Sequence, residues 1–216
     1  MGRAEAKRRY DDACGLAHAL ELIGERWAML ILRELAYGSR RFSELKADLP
    51  GISANVLTQR LTELEGRGLV VRKKLPPPAS VQVYEATPWA LEVAPVIGNL
   101  GKWAAKSPLH DSTLPLSHAA MMMSLQTMLD AQRAQDLKGR LGFVFGETRY
   151  SATLRDGELQ VERGSTEGCD VVISASPQGL AAVIYGGAPL ETLAVEGDIG
   201  LAERFMKLFP LPPKAA

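Results

Sequence analysis

Residues 51–68, from Gly51 to Gly68, read GISANVLTQRLTELEGRG. Leu57, Leu61 and Leu64 recur at i, i+4 and i+7 and make one apolar helical stripe. Asn55, Thr58, Gln59 and Thr62 share the opposite face. That face is polar but uncharged, whereas an ordinary solvated helix face carries Lys and Glu. Amides and hydroxyls in a row suit a helix pressed against base edges, where Asn and Gln can pair with adenine. Ser53 has the position and chemistry of an N-cap. Gly66 and Gly68 mark the helix end, and an apolar strand follows. Taken alone, the pattern fits a two-faced packing helix equally well, so its neighbours decide.

Upstream, Leu16, Leu20 and Ile23 mark one helical face closed by Gly24. Trp27, Leu30, Ile31 and Leu35 mark a second, stopped by Gly38. Phe42, Leu45 and Leu49 mark a third, and Pro50-Gly51 turns the chain into the helix quoted above. Two short helices joined by a tight turn make a helix-turn-helix, whose second helix enters the major groove. Downstream, Leu69–Leu75 reads as a strand ending in Arg72, Lys73 and Lys74. Pro76-Pro77-Pro78 forces a turn, and Val81–Glu85 alternates as a returning strand. This hairpin is a wing whose cations suit phosphate contacts, together with Arg40, Arg41 and Arg60. Its stiff proline tip carries no Arg to insert in a minor groove. Ser53, Asn55, Thr58 and Gln59 are the expected base-facing residues.

Thr87-Pro88 opens a further helix that Pro95 interrupts, and Ile97, Leu100, Trp103 and Ala104 continue it. A winged domain of this size cannot bury that last face alone. It packs either on a partner subunit, together with the Ala13–Ile23 helix, or on the second half of the chain.

The ordered blocks Leu22-Ile23-Gly24-Glu25-Arg26-Trp27, Leu30–Leu35, Arg41–Leu45, Pro50–Ser53, Val56–Leu61 and Gly68-Leu69-Val70 resemble the HxlR-type winged helix-turn-helix regulators from about Cys14 to Trp103. The resemblance implies a homodimeric, sequence-specific transcription regulator on double-stranded DNA with a palindromic operator, dimerised through its terminal helices. Cys14 matches a cysteine that some members use as a redox or electrophile sensor. Asp11 and Asp12 beside it do not favour a thiolate, whereas a helix N-terminus would; a packing role stands as the alternative.

Composition agrees with two domains. The 216 residues balance 25 Lys and Arg against 25 Asp and Glu. Residues 1–107 hold 16 of those cations and 12 of the anions, whereas residues 108–216 hold 9 and 13. A polyanionic partner therefore belongs to the first half. Two distant cysteines, Cys14 and Cys169, make neither a disulfide framework nor a zinc site. No apolar run approaches 18 residues, and the N-terminus lacks a signal-peptide core, so a soluble, cytoplasmic protein without membrane partners is expected.

The expected boundaries are a winged domain at 1–107, a linker at 108–115 and a second domain at 116–212. Leu116 to about Ala134 has a helical pattern, with Met121, Leu125, Met128 and Leu129 on one face. Met stripes line either a core or an adaptable pocket. Short strands follow at Leu141–Phe145, Thr148–Leu154, Leu159–Glu162 and Val171–Ser174, with Asp156-Gly157 as a hairpin turn. Ser176-Pro177 opens a helix that ends at Gly186-Gly187, and Leu201, Phe205, Leu208 and Phe209 mark a last one. The fold class is α+β, a small antiparallel sheet with helices on one side.

The Phe143/Phe145 strand, the Asp156-Gly157 hairpin, Asp170–Ser174 before Ser176-Pro177, and Glu196-Gly197-Asp198 before the final helix are similar to the sterol-carrier-protein type 2 fold. That resemblance implies a cavity for an apolar or lipid-like effector. Its candidate lining is Met122, Met128, Phe143, Phe145, Tyr150, Ile184, Phe205 and Phe209. No catalytic constellation, cofactor or metal is expected. His110 and His118 are isolated, Ser151 and Ser165 lack a nucleophile elbow, and Gly186-Gly187 follows a helix rather than preceding one. The expected function is a ligand-responsive repressor. A thiol-switch regulator acting through Cys14 and a lipid carrier with a DNA-binding appendage are the alternatives.

Overall fold

The computed structural model describes residues 10–78 and 80–215. Residues 3–12 are rich in charge and expected to fray; of these, 3–9 lie outside the described residues. Packing divides the chain into two units. One comprises the chain up to Leu35 together with Ser39–Leu91, the other Ala36–Gly38 and Glu92–Ala216.

In the first unit come α1 (Gly15–Ile23), α2 (Ala28–Leu35), α3 (Phe42–Asp48) and α4 (Ala54–Gly66). Ser53 Oγ accepts from Val56 N at 3.2 Å and starts α4. The helix ends in a Schellman motif. Gly68 takes φ +74°, its N–H donates to Glu65 O at 3.0 Å, and Leu69 N–H donates to Leu64 O at 2.9 Å. That closure aims the chain into β1 (Val70–Lys74), which pairs with β2 (Gln82–Ala86) so that Arg72 faces Tyr84. Arg40 and Tyr84 exchange both backbone hydrogen bonds at 2.8 Å, adding a one-residue third edge to the hairpin. Leu57, Leu61 and Leu64 are buried with Ile31, Leu35, Leu45 and Leu49. The unit closes with α5 (Pro88–Leu91), where Thr87 Oγ1 accepts from Ala90 N.

The second unit holds α6 (Ala94–Ala104), α7 (His118–Met128), α8 (Ala131–Ala134), β3 (Gly139–Phe145), β4 (Thr148–Arg155), β5 (Glu158–Arg163), β6 (Val171–Ser174), α9 (Pro177–Gly186), β7 (Ala194–Gly197) and α10 (Ile199–Met206). The face of α6 was expected to pack on a partner subunit or on the second half of the chain. Ile97 and Gly98 turn to α7, where any side chain at Gly98 would strike Thr127. Lys102 Nζ donates to Thr127 O at 3.3 Å. Lys214 Nζ reaches back to the carbonyls of Ala105 and Ser107 beyond the end of α6. The other side of α6 leaves Val96, Leu100 and Trp103 exposed.

The helical stretch expected from Leu116 to Ala134 is two helices. Asp130 accepts from the backbone of Gln132 and Arg133, and so caps a new helix one residue after Leu129 leaves the helical conformation.

The sheet is mixed, which corrects the antiparallel expectation. Its order is β5-β4-β3-β6-β7, and β3 runs parallel to β6, with Leu141 opposite Val171 and Phe143 opposite Ile173. With both edges of β4 taken, the outer edges of β5 and β3 remain open, and β6 joins that of β3. Residues 164–170 carry the chain across to that edge. Thr166 passes over Gly142, where a Cβ would lie 2.9 Å from the threonine. The inner face of the sheet buries Leu141, Phe143, Tyr150, Ala152 and Ile173 against α7, α9 and α10.

Candidate nucleic-acid interface

The first unit brings the expected base-facing residues together. Ser53, Asn55, Thr58 and Gln59 are exposed along α4, while the Leu stripe opposite is sealed. Thr58 Oγ1 donates to Ala54 O at 2.9 Å, so its hydroxyl keeps acceptor capacity outward. Gln59 Nε2 donates to Glu63 Oε1 at 3.0 Å.

The expected phosphate contacts divide. On the wing, Arg72, Lys73 and Lys74 are exposed. Arg72 is 2.8 Å from Glu65 and lies over the Tyr84 ring at 5.9 Å. The hydrogen bond and charge of Glu65 push the Arg72 guanidinium above its usual range. Lys73 is 2.7 Å from Glu85, its diagonal neighbour across the hairpin. Arg41 is exposed at the start of α3.

Arg40 and Arg60 are corrections. Arg40 is 3% exposed, and its guanidinium binds Glu44 and Asp48 of α3. The backbone bridge to Tyr84 fixes Arg40 between elements and turns its side chain inward. The Arg60 side chain is 12% exposed, and its Nη1 sits between Glu25 at 3.2 Å and Glu63 at 2.5 Å. Arg67 likewise donates to Leu22 O at 2.8 Å. Arg60 and Arg67 thus brace the fold, and the expected cations that remain exposed are those of the wing and Arg41.

Sequence reasoning missed the carboxylates. Glu25, Glu63, Glu65 and Glu85 each hold a cation of this surface. Helical spacing could have found Glu63, at i+4 from Gln59 and i+3 from Arg60.

Cys14 is exposed at the N-cap of α1, and its N–H donates to Asp12 Oδ1 at 2.9 Å. Cys169 is half-buried, and burial pushes its thiol up.

The side chains expected to line an apolar cavity fill the second unit's interior instead. Met122, Phe143, Tyr150 and Phe205 are fully buried, Met128, Phe145 and Phe209 nearly so, and Ile184 packs at the margin. The Phe205 and Phe209 rings meet edge to face at 4.8 Å, and Phe143 lies 6.0 Å from Phe205. An open depression of about 660 Å³ lies elsewhere, lined by Glu147, Arg149, Arg163 and Thr166 among others. His118 is no isolated surface group, because its Nδ1 is 2.7 Å from the Tyr150 hydroxyl.

The HxlR-like helix-turn-helix family profile matches residues 22–111. The uncharacterized HTH-type transcriptional regulator YvaP of Bacillus subtilis (strain 168) is 40% identical over 88 residues, 41% of this chain and 82% of that protein. The HTH-type transcriptional regulator YodB of the same organism is 35% identical over 86 residues, 40% of this chain and 77% of that protein. Among solved structures, the reduced form of YodB is 31% identical and spans 46% of this chain and 100% of that one, with a TM-score of 0.41.

Proposed function

The chain belongs to the HxlR-like helix-turn-helix family, and from that premise we propose that it represses transcription by binding a palindromic operator as a homodimer. The observation that carries the DNA reading is α4. Its Leu face is sealed in the core, and its exposed face offers Ser53, Asn55, Thr58 and Gln59 without a formal charge among them. Such a face fits base edges in the major groove, with Arg41 and the wing cations on phosphates. Exposed Leu16 and Leu20 on α1, and Leu100 and Trp103 on α6, support a second copy. Two copies would present α4 to half-sites about one helical turn apart, roughly 34–36 Å.

The test is selection of the full-length protein on a random-sequence duplex library. A two-fold symmetric motif should emerge. Enrichment no better than a bare-matrix control defeats the proposal.

The second unit we read as the sensing module, related to sterol carrier proteins and open to an apolar, lipid-like effector. What supports this is the methionine content of its core: Met121, Met122, Met128 and Met206 are buried beneath the sheet. Met repacks more readily than branched side chains, so a filled interior can still admit a ligand. Native mass spectrometry and thermal shift with long-chain fatty acids check it. No adduct and no shift at saturation would leave the unit as scaffold. Exposed Cys14 favours a second input, by thiol oxidation. Under that reading a Cys14→Ser variant keeps operator binding in oxidant where the parent loses it.

A further inference from the structure

Glu63 lies one turn beyond Gln59 on α4 and uses both carboxylate oxygens. Oε1 accepts from Gln59 Nε2 at 3.0 Å, and Oε2 from Arg60 Nη1 at 2.5 Å. Arg60 is held in turn by Glu25 at 3.2 Å. The carboxylate is therefore anchored from behind through Oε2, and Oε1 orients the amide of Gln59.

A carboxylate only accepts hydrogen bonds, so the amide must turn its NH2, not its carbonyl, toward Glu63. One of the two N–H groups is spent there. What the exposed amide still offers is one N–H and one carbonyl oxygen. In the major groove adenine shows an acceptor, N7, beside a donor, the N6 amine. Guanine shows two acceptors, cytosine a donor, and thymine an acceptor beside a methyl group. An unrestrained Gln could turn both N–H groups toward guanine. With one N–H committed, adenine is the base whose edge the remaining pair matches at both atoms.

We propose that the Gln59–Glu63 pair makes position 59 an adenine reader, with Glu63 as the positioning residue. The inference rests on the DNA-binding reading above. It adds a base to that reading and a specificity-setting role for a residue that touches no base. It also sets an opposing electrostatic effect apart. Glu63 is an anion on the DNA-facing helix and neutralises Arg60, so its loss should not weaken binding to phosphates.

The experiment uses the full-length protein, the motif it selects, and every single-pair replacement of that motif, read by fluorescence anisotropy. One A·T pair per half-site should lose roughly 5- to 100-fold on replacement by G·C. Gln59→Ala should flatten that position alone. Glu63→Ala should reduce discrimination there while affinity for random duplex holds or rises, which a folding defect would not produce. Glu63→Gln keeps an acceptor and should restore part of the discrimination. If the pair sensitive to Gln59→Ala is G·C, or none is sensitive, the adenine assignment falls. If Glu63→Ala discriminates as the parent does, the positioning role falls. Absence of any selected motif would defeat the DNA reading itself, and this inference with it.

Discussion

Arg72, Lys73 and Lys74 follow one another on β1 and differ in what each must release to reach a phosphate. Arg72 is bound to Glu65 and Lys73 to Glu85, whereas Lys74 makes no ion pair among the described residues. Glu65→Gln should therefore tighten binding to operator and random duplex alike, by about two- to fivefold, since an exposed pair contributes little but opposes the exchange. Anisotropy titrations across a salt series measure this. Unchanged or weaker binding would show that Arg72 does not meet DNA. Lys74→Ala should instead lower the slope of log K against log salt by about 0.9 per protomer contact.

Tyr185 is a different residue-scale case. Its hydroxyl is 2.7 Å from Ser124 Oγ, and burial pushes its phenol up to about 12 despite that hydrogen bond. The fold favours the neutral form, so its contribution is complete below the unfolded value, near 10. It is lost as pH rises through the folded value. Urea unfolding should lose stability between pH 10 and 12, less so in Tyr185→Phe. At neutral pH that variant should lose about 0.5–1.5 kcal/mol. At this scale residue types were legible in the sequence, but pairings were legible only when local. Gln59 and Glu63 are one turn apart. Arg40 is buried by a bridge to Tyr84, 44 positions along the chain, which no local pattern announces.

Among elements, α4 was read almost to its ends because periodicity, cap and stop agree: Leu stripe, Ser53 and Gly68. Leu61→Ala should destabilise by about 2–5 kcal/mol, since the side chain is 1% exposed within the first unit's core. Gly68→Ala should lose about 1–2 kcal/mol, because a Cβ there has room but φ +74° disfavours it. Both are readable in chemical unfolding curves. A Gly68→Asn variant, better suited to that conformation, should lose less than the alanine. If Gly68→Ala and Gly68→Asn were equally stable to the parent, backbone conformation would not be what ends α4. The parallel β6 strand was not legible for a related reason. Gly142 inside a strand signals a close approach, but nothing local says that Thr166 makes it. The crossing is a property of the sheet's edges, not of the segment that crosses.

At the scale of the molecule, zero net charge conceals a basic first half and an acidic second half. Charge alone therefore neither holds copies apart nor joins them strongly, and apolar surface decides association. α1 exposes Leu16 at 68% and Leu20 at 40%, and α6 exposes Val96 at 61%, Leu100 at 46% and Trp103 at 69%. The sequence flagged these as one face too many for a winged domain. It could not divide α6 between two duties, because Ile97, Leu100 and Trp103 recur at helical spacing as one apolar stripe. Gly98 is spent on Thr127, while Trp103 is left in solvent. A dimer built on the unspent residues should run at twice 23.4 kDa by light scattering after gel filtration. Replacing Leu100 and Trp103 together by Glu should leave a folded monomer, since neither side chain is part of the buried core. That monomer should bind a single half-site and its random-sequence control nearly as the parent protomer does, but lose the gain from joining two half-sites. A double variant that stays dimeric would place the second copy on another face.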